Sequence, residues 1–128
     1  MRIIFVGMHN KPGVMPLCTS TKSGKLIKRI YDKLPKGIEV LRTNLYNIDY
    51  YPANSEKLGL ILDWYDRIEP NCIDIIVLLG AEVHKNFKYF SFIQTINLGH
   101  PSGVWSNEAK SIYVLRAIEK IKTKINKQ

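Results

Sequence analysis

The sequence predicts an α/β fold, a three-layer α/β/α sandwich around a central, mainly parallel four-stranded sheet. Three observations carry that expectation. Apolar periodicity alternates about four times between strand-like and helical. The run from Ile73 to Leu79 is almost unbroken in apolar, β-branched residues, the pattern of a strand buried on both faces of a parallel sheet. No linker, repeat or low-complexity tract interrupts the 128 residues, a length that lets one domain remove roughly two thirds of its unfolded surface from water. Residues 1–128 are therefore read as a single domain. Strand followed by helix, repeated, implies right-handed crossovers and helices on both faces of the sheet.

Each element has its own signal. Arg2 to Val6 reads as the first strand, followed by a long irregular loop from Gly7 to about Lys22. Leu26, Ile27, Ile30, Tyr31 and Leu34 recur at helical spacing, with Ser23 as the expected cap and Pro35 with Gly37 as the stop. Ile38 to Leu45 is the second strand, and Asn47 to Asn54 a loop rich in Tyr and Pro. Leu58, Ile61, Leu62, Tyr65 and Ile68 form the stripe of a second helix that ends before Pro70. Ile73 to Leu79 is the third strand, Ala81 to Tyr89 a short helix, and Phe92 to Leu98 the fourth strand. Ser106, Asn107 and Glu108 open a last helix with Ile112, Leu115, Ile118, Ile121 and Ile125 at spacings of three and four.

Composition narrows the class. Hydrophobic residues make up 45% and charged residues 23%, an ordinary globular balance. The opening run Ile3–Val6 is far shorter than the ~20 apolar residues of a membrane span. It also lacks the longer apolar core of a signal peptide, so a buried first strand and a cytoplasmic protein are expected. Cys18 and Cys72 are the only cysteines. Neither has a close-spaced partner set, so reduced thiols are expected and neither a metal nor a cofactor.

Lys and Arg number 19 against 11 acids, a formal net charge of +8, which favours a polyanionic partner through counterion release. Lys22, Lys25, Lys28, Arg29, Lys33 and Lys36 face a single acid, Asp32, and follow a loop at the sheet rim. That makes Lys22 and Lys25 the preferred phosphate contacts. Lys120, Lys122, Lys124 and Lys127 read as a solvated helix end that complements the helix dipole.

In open α/β sheets ligands bind beyond the carboxyl ends of the strands. The loops at that rim bring His9, Asn10, Asn44, Asn47 and His100 together in space although they are distant in sequence. The segment Gly99-His100-Pro101-Ser102-Gly103-Val104-Trp105 is the most informative. A histidine followed by a proline of fixed φ, leaving the end of a strand, is a rigid mount for one imidazole.

Phe5-Val6-Gly7 leads into a loop with Asn10, Pro12 and Gly13, and Lys22-Ser23-Gly24-Lys25-Leu26 opens the first helix. Thr43-Asn44 ends the second strand, Ile76-Val77-Leu78-Leu79-Gly80-Ala81 forms the third strand and its turn, and Gly99-His100-Pro101-Ser102 closes the set. In this order the segments resemble the uracil-DNA glycosylase superfamily, in its small, single-domain, cluster-free form, over nearly the whole chain.

The resemblance implies a glycosylase that acts on a flipped-out base in DNA, without cofactor and as a monomer. His100 would donate to the base carbonyl oxygen as charge develops there, and Asn44 would read the edge of the base with its amide. Gly7, Cys18 and Tyr46 would complete the base pocket, and Ser102 would hold a phosphate. Gly103, Val104 and Trp105 would stand where the family places its wedge, with Lys22 and Lys25 contacting the backbone.

This chain departs from the family pattern in its first motif. Gly7-Met8-His9-Asn10-Lys11-Pro12-Gly13 is about two residues longer and holds no carboxylate. Asn10, or else His9, would then position the attacking water. The family's stacking aromatic before the first helix is replaced by Leu17, Cys18 and Thr19, leaving Tyr46, Tyr50 or Tyr51 as substitutes.

Two other readings stay open. One is a binding module on the same fold that hydrolyses nothing. The other is a deoxyribosyl-type transferase, whose carboxylate nucleophile would have to be Asp49. Structurally, His100 could simply tie a loop, Trp105 could pack as the lid of the last helix, Trp64 is expected to pack and His84 to face solvent.

Overall fold

The computed structural model describes residues 1–10, 15–87 and 93–127. Along the chain run β1 (Arg2–His9), α1 (Lys22–Tyr31), β2 (Glu39–Tyr46) and α2 (Asn54–Ile68). They are followed by β3 (Ile75–Leu79), α3 (Ala81–Asn86), β4 (Gln94–Leu98), a 3-10 turn at Pro101–Gly103 and α4 (Asn107–Asn126). The sheet has the order β2-β1-β3-β4 with every pair parallel. The expected α/β/α sandwich is therefore present, and its sheet is wholly parallel.

Period-two alternation sorts the central strands onto two faces. Ile3 and Phe5 of β1, with Ile75, Val77 and Leu79 of β3, pack beneath Ile27 and Ile30 of α1 and Ala117 and Ile121 of α4. Ile4 and Val6, with Ile76 and Leu78, face Ile61, Trp64 and Ile68 of α2 and Val83 of α3. The chain leaves β1 toward β2 and later passes β1 to reach β3, so the connections diverge between β1 and β3. Such a switch point opens a crevice at the carboxyl rim.

Several sequence expectations shift. β1 runs on to His9, so Gly7, Met8 and His9 belong to the strand and not to the loop. Thr21, not Ser23, caps α1: its hydroxyl accepts from Gly24 N–H at 3.0 Å. The same helix ends at Tyr31, before Pro35 and Gly37, where the Asp32 N–H closes the last turn. β3 starts at Ile75; Ile73 is exposed and Asp74 is buried.

On α2 the buried stripe is Ile61, Trp64 and Ile68, while Leu58 and Leu62 are 61% and 55% exposed. Trp64 is the reason: its indole fills the core and donates to Thr43 Oγ1 at 3.1 Å, rotating the helix away from a Leu58–Leu62 face. Trp64 packs as expected. In α4 Ser106 caps the helix as expected, accepting from Ala109 N–H. There Ile118 and Ile121 are buried but Ile112 and Leu115 are exposed. Tyr89, the expected end of α3, and Phe92, the expected start of β4, lie outside the described residues, as do Lys11, Pro12 and Gly13. No described helix is long and apolar enough to cross a membrane.

The rim opposite the crevice is held by one ion pair. Asp74, almost fully buried, accepts from Arg2 Nε at 3.2 Å and Nη2 at 2.7 Å, and from Asn71 N–H at 3.0 Å. Arg2 Nη2 also donates to Ile68 O at 3.2 Å and Glu69 O at 3.1 Å, serving the last carbonyls of α2. Removing the guanidinium would strand a buried carboxylate. Because Arg2 is partly solvated, Arg2→Ala is expected to cost about 3 kcal/mol, the low end of the range for broken buried pairs. Urea denaturation measures it; a loss below ~1 kcal/mol would mean the pair is no more than an exposed one.

Candidate functional site

A cavity of about 250 Å³ opens at the carboxyl rim, lined by Met8 and His9 of β1, Asn44 of β2, and His100 and Ser102 of the β4–α4 turn. Met15, Leu17, Thr21 and Ser23 close it from the β1–α1 connection and the start of α1. Four of the residues expected at the site therefore meet: His9, Asn44, His100 and Ser102.

Strand register brings the amide in. Gly7 pairs with Asn44 across β1 and β2, and a Cβ on Gly7 would lie 2.4 Å from Asn44 Oδ1. The buried Asn44 side chain thus lies flat over a glycine. Its Nδ2 donates to Asn10 Oδ1 at 2.7 Å, and Asn10 Nδ2 donates to Asn47 Oδ1 at 3.1 Å. Asn10 is committed at both ends of its amide and does not line the cavity. Its side-chain oxygen holds the Asn44 amide in place.

Backbone geometry sets both imidazoles. Ser102 N–H donates to His100 Nδ1 at 3.1 Å, and the Ser102 hydroxyl lies 2.7 Å from the same nitrogen. A nitrogen that accepts from a backbone N–H is bare, so the neutral His100 ring carries its proton on Nε2. Ser102 is spent on orienting that ring. His9 is the reverse: its Nδ1 lies 3.0 Å from Asn10 O, a pure acceptor, so Nδ1 holds the proton and Nε2 is a basic lone pair. The two rings that line the cavity thus carry their protons on opposite nitrogens.

The His100 turn is stapled on three sides. Gly80 N–H donates to Leu98 O at 2.7 Å, Tyr113 Oη donates to Gly99 O at 2.6 Å, and Trp105 Nε1 donates to Ser102 O at 2.8 Å. Trp105 is 84% exposed, so it is not a packed lid. With Lys22, Val104 and Lys110 it borders a second, smaller hollow of about 180 Å³. Lys25 is exposed on α1, and Gly103 lies at the mouth of a groove toward α4.

Other expected residues fall elsewhere. Tyr46 is fully buried in the core under α2 and does not line the cavity. Its phenol has no hydrogen-bond partner among the described residues, and burial pushes it up from its ordinary pKa. Cys18 does not line the cavity either. Its thiol is held below its ordinary pKa by the Ser20 hydroxyl, but its carbonyl matters more. That oxygen accepts from Thr21 Oγ1 at 2.7 Å and Thr21 N–H at 2.9 Å, and a Cβ on Gly24 would lie 1.9 Å from it. Only glycine lets α1 start that close to the loop carrying Leu17. Asp49 is exposed and outside the cavity.

One cluster beside the site had no sequence signal. Tyr51 Oη donates to Glu82 Oε1, Lys57 Nζ donates to Tyr51 Oη at 2.9 Å, and Lys57 Nζ lies 3.8 Å from Glu82. Tyr51 also meets the His9 ring edge-on, with centroids 6.3 Å apart. The group ties the β2–α2 loop to α3 and buttresses His9. Its members are up to 31 residues apart, so no local spacing could reveal them. Among the described residues no three or more His, Cys, Asp or Glu side chains gather as a metal would need.

The chain matches no protein-family model, and no curated protein matches it.

Two consequences are measurable. Gly7→Ala should displace the Asn44 amide and destabilise the fold by about 1–3 kcal/mol, the usual cost of overpacking; an unchanged melting temperature would mean the amide moves freely. Burial also pushes the Tyr113 phenol well above its ordinary value. Above pH ~10 the unfolded chain releases a proton that folded Tyr113 keeps, so stability falls as pH rises, whereas below it the phenol is neutral in both states. The melting temperature should therefore decline above pH ~10 more steeply in the parent protein than in Tyr113→Phe; equal slopes would contradict this.

Proposed function

We propose that this protein is a DNA base-excision glycosylase-like hydrolase that cleaves the N-glycosidic bond of uracil or another modified base. One observation carries the reading: His9, Asn44 and His100, from three separate strand ends, line one cavity of about 250 Å³ at the rim of the sheet. Sites for drug-sized ligands run to ~300–1,000 Å³, so this one suits a small flat molecule such as a single base. Met8, Met15 and Leu17 give it apolar walls, and polarizable thioethers can serve as contact faces where the family uses an aromatic ring.

The two tautomers divide the chemistry. As the C1′–N bond breaks, the base leaves with the bonding pair and negative charge gathers on its carbonyl oxygen. His100 Nε2–H donates to that oxygen, a donor fixed in place before the charge develops. A water oxygen bonds to C1′ and gives its proton to His9 Nε2, the general base in place of a carboxylate. Asn44, with one Nδ2 hydrogen on Asn10, offers its other N–H and its Oδ1 to the edge of the base.

The target base must first leave the stack. Trp105 and Val104, which border the neighbouring hollow with Lys22, would serve as the wedge that fills the gap, and Lys22 and Lys25 of α1 would take phosphates.

A second reading is favoured by one fact: no carboxylate is among the described residues lining the cavity. The same fold would then hold a base without hydrolysing the bond. Incubation with oligonucleotides carrying uracil, hypoxanthine or a thymine mismatch separates the two. Abasic product from one of them is expected, with His100→Ala and His9→Ala each lowering the rate by at least ~100-fold. Salt-sensitive binding without product would leave only the binding module, and neither binding nor product would reject both.

A further inference from the structure

Beyond the base cavity, the structure carries a second feature suited to a polyanion. β4 is an edge strand, and between it and α4 runs a groove formed by two adjoining hollows of about 450 and 570 Å³ that share Asn97, Arg116 and Lys120. At its upper end the groove is walled by Gly103 and Val104, from the same turn that mounts His100. At its lower end it is walled by Lys124. It therefore starts at the site and descends the side of the domain.

The cations in it are regularly spaced. Arg116, Lys120 and Lys124 recur every four residues along one face of α4, steps of ~6 Å at the helical rise. That step is close to the separation of successive phosphates in a stretched strand. Among the described residues Glu119 is the one acid on the groove wall, and none of the three cations has a salt bridge. The partly exposed Ile112 lies toward the site, where a sugar or base would need apolar contact.

We propose that this groove holds the sugar–phosphate backbone of a single nucleic-acid strand adjoining the flipped base, with Arg116, Lys120 and Lys124 on successive phosphates. The proposal rests on the nucleic-acid reading of the cavity and extends it to a partner-binding track. A peptide adding to the β4 edge fits less well. Lys120 Nζ lies 3.4 Å from Asn97 O and donates to it, which blunts the edge as lysines on edge strands do. A phosphate would be received by that ammonium, whereas an added strand would have to displace it.

The test uses the full chain and a fluorescein-labelled fifteen-residue oligothymidylate, read by anisotropy from low to moderate salt. The variants are Arg116→Gln, Lys120→Gln and Lys124→Gln, singly and together. Arg116 and Lys120 are exposed and Lys124 half-buried, Gln is a good helix former, and circular dichroism checks the fold of each. The triple variant should bind about tenfold or more weakly at moderate salt. Its plot of log affinity against log salt should flatten by ~2, since each lost phosphate contact on a single strand removes ~0.7.

Parental binding with an unchanged slope in the triple variant overturns the track and leaves the cavity reading standing. No binding by the parent protein at low salt overturns both. Binding of an acidic dodecapeptide, lost in the triple variant, with none of the oligonucleotide, overturns the proposal in favour of a peptide on the β4 edge.

Discussion

The site depends on one register. Gly7 stands opposite Asn44 because β1 and β2 pair from Arg2 with Glu39 onward without a break in phase to that point. Side chains alternate between faces, so a slip of one residue would turn Asn44 toward α2 and replace it at the rim with a neighbour. A buried hydroxyl pins the phase. Thr43 Oγ1 donates to Phe5 O at 3.0 Å and accepts from the indole of Trp64 at 3.1 Å. Neither bond survives a slip, and both would leave buried polar groups unpaired. The core under α2 thus sets the position of an amide on the opposite face of the sheet.

A second constraint closes the cavity from the other side. α1 begins with its Gly24 against the Cys18 carbonyl, and Thr21 joins the two through its backbone N–H and its side chain. That contact holds Leu17 and Thr21 at the cavity wall, with the positive end of the α1 dipole nearby. On the far side of His9, Glu82, Tyr51 and Lys57 form a charge-balanced cluster that anchors the β2–α2 loop. The cavity therefore lies between the start of α1 and this ion-paired cluster.

The fold was legible because it is written in local patterns. β3 and β1 are apolar on both faces, and only the middle of a parallel sheet accommodates that. Ser106 signalled the start of α4 directly. The faces of α2 were less legible, because its hydrophobic residues outnumber those its neighbours can cover, and Trp64 decides which side turns inward. His9, Asn44 and His100 could be grouped from topology alone, since each follows or ends a parallel strand. The roles of Asn10 and Ser102 could not. Both look like donors toward a ligand, yet each is consumed by a neighbouring site residue, and only hydrogen-bond geometry separates the two uses.

Backbone atoms decide how the two histidines differ. Composition makes them equal; a carbonyl at Asn10 and an N–H at Ser102 place the proton on Nδ1 of one ring and on Nε2 of the other. Reversing either tautomer would set an N–H against an N–H or a lone pair against a carbonyl, forfeiting a bond worth about 0.5–1.5 kcal/mol and adding repulsion. The polarity across the cavity is therefore present before any ligand arrives. Backbone atoms already in place thus fix which nitrogen of each ring holds its proton, in a cavity with no carboxylate among its described lining residues.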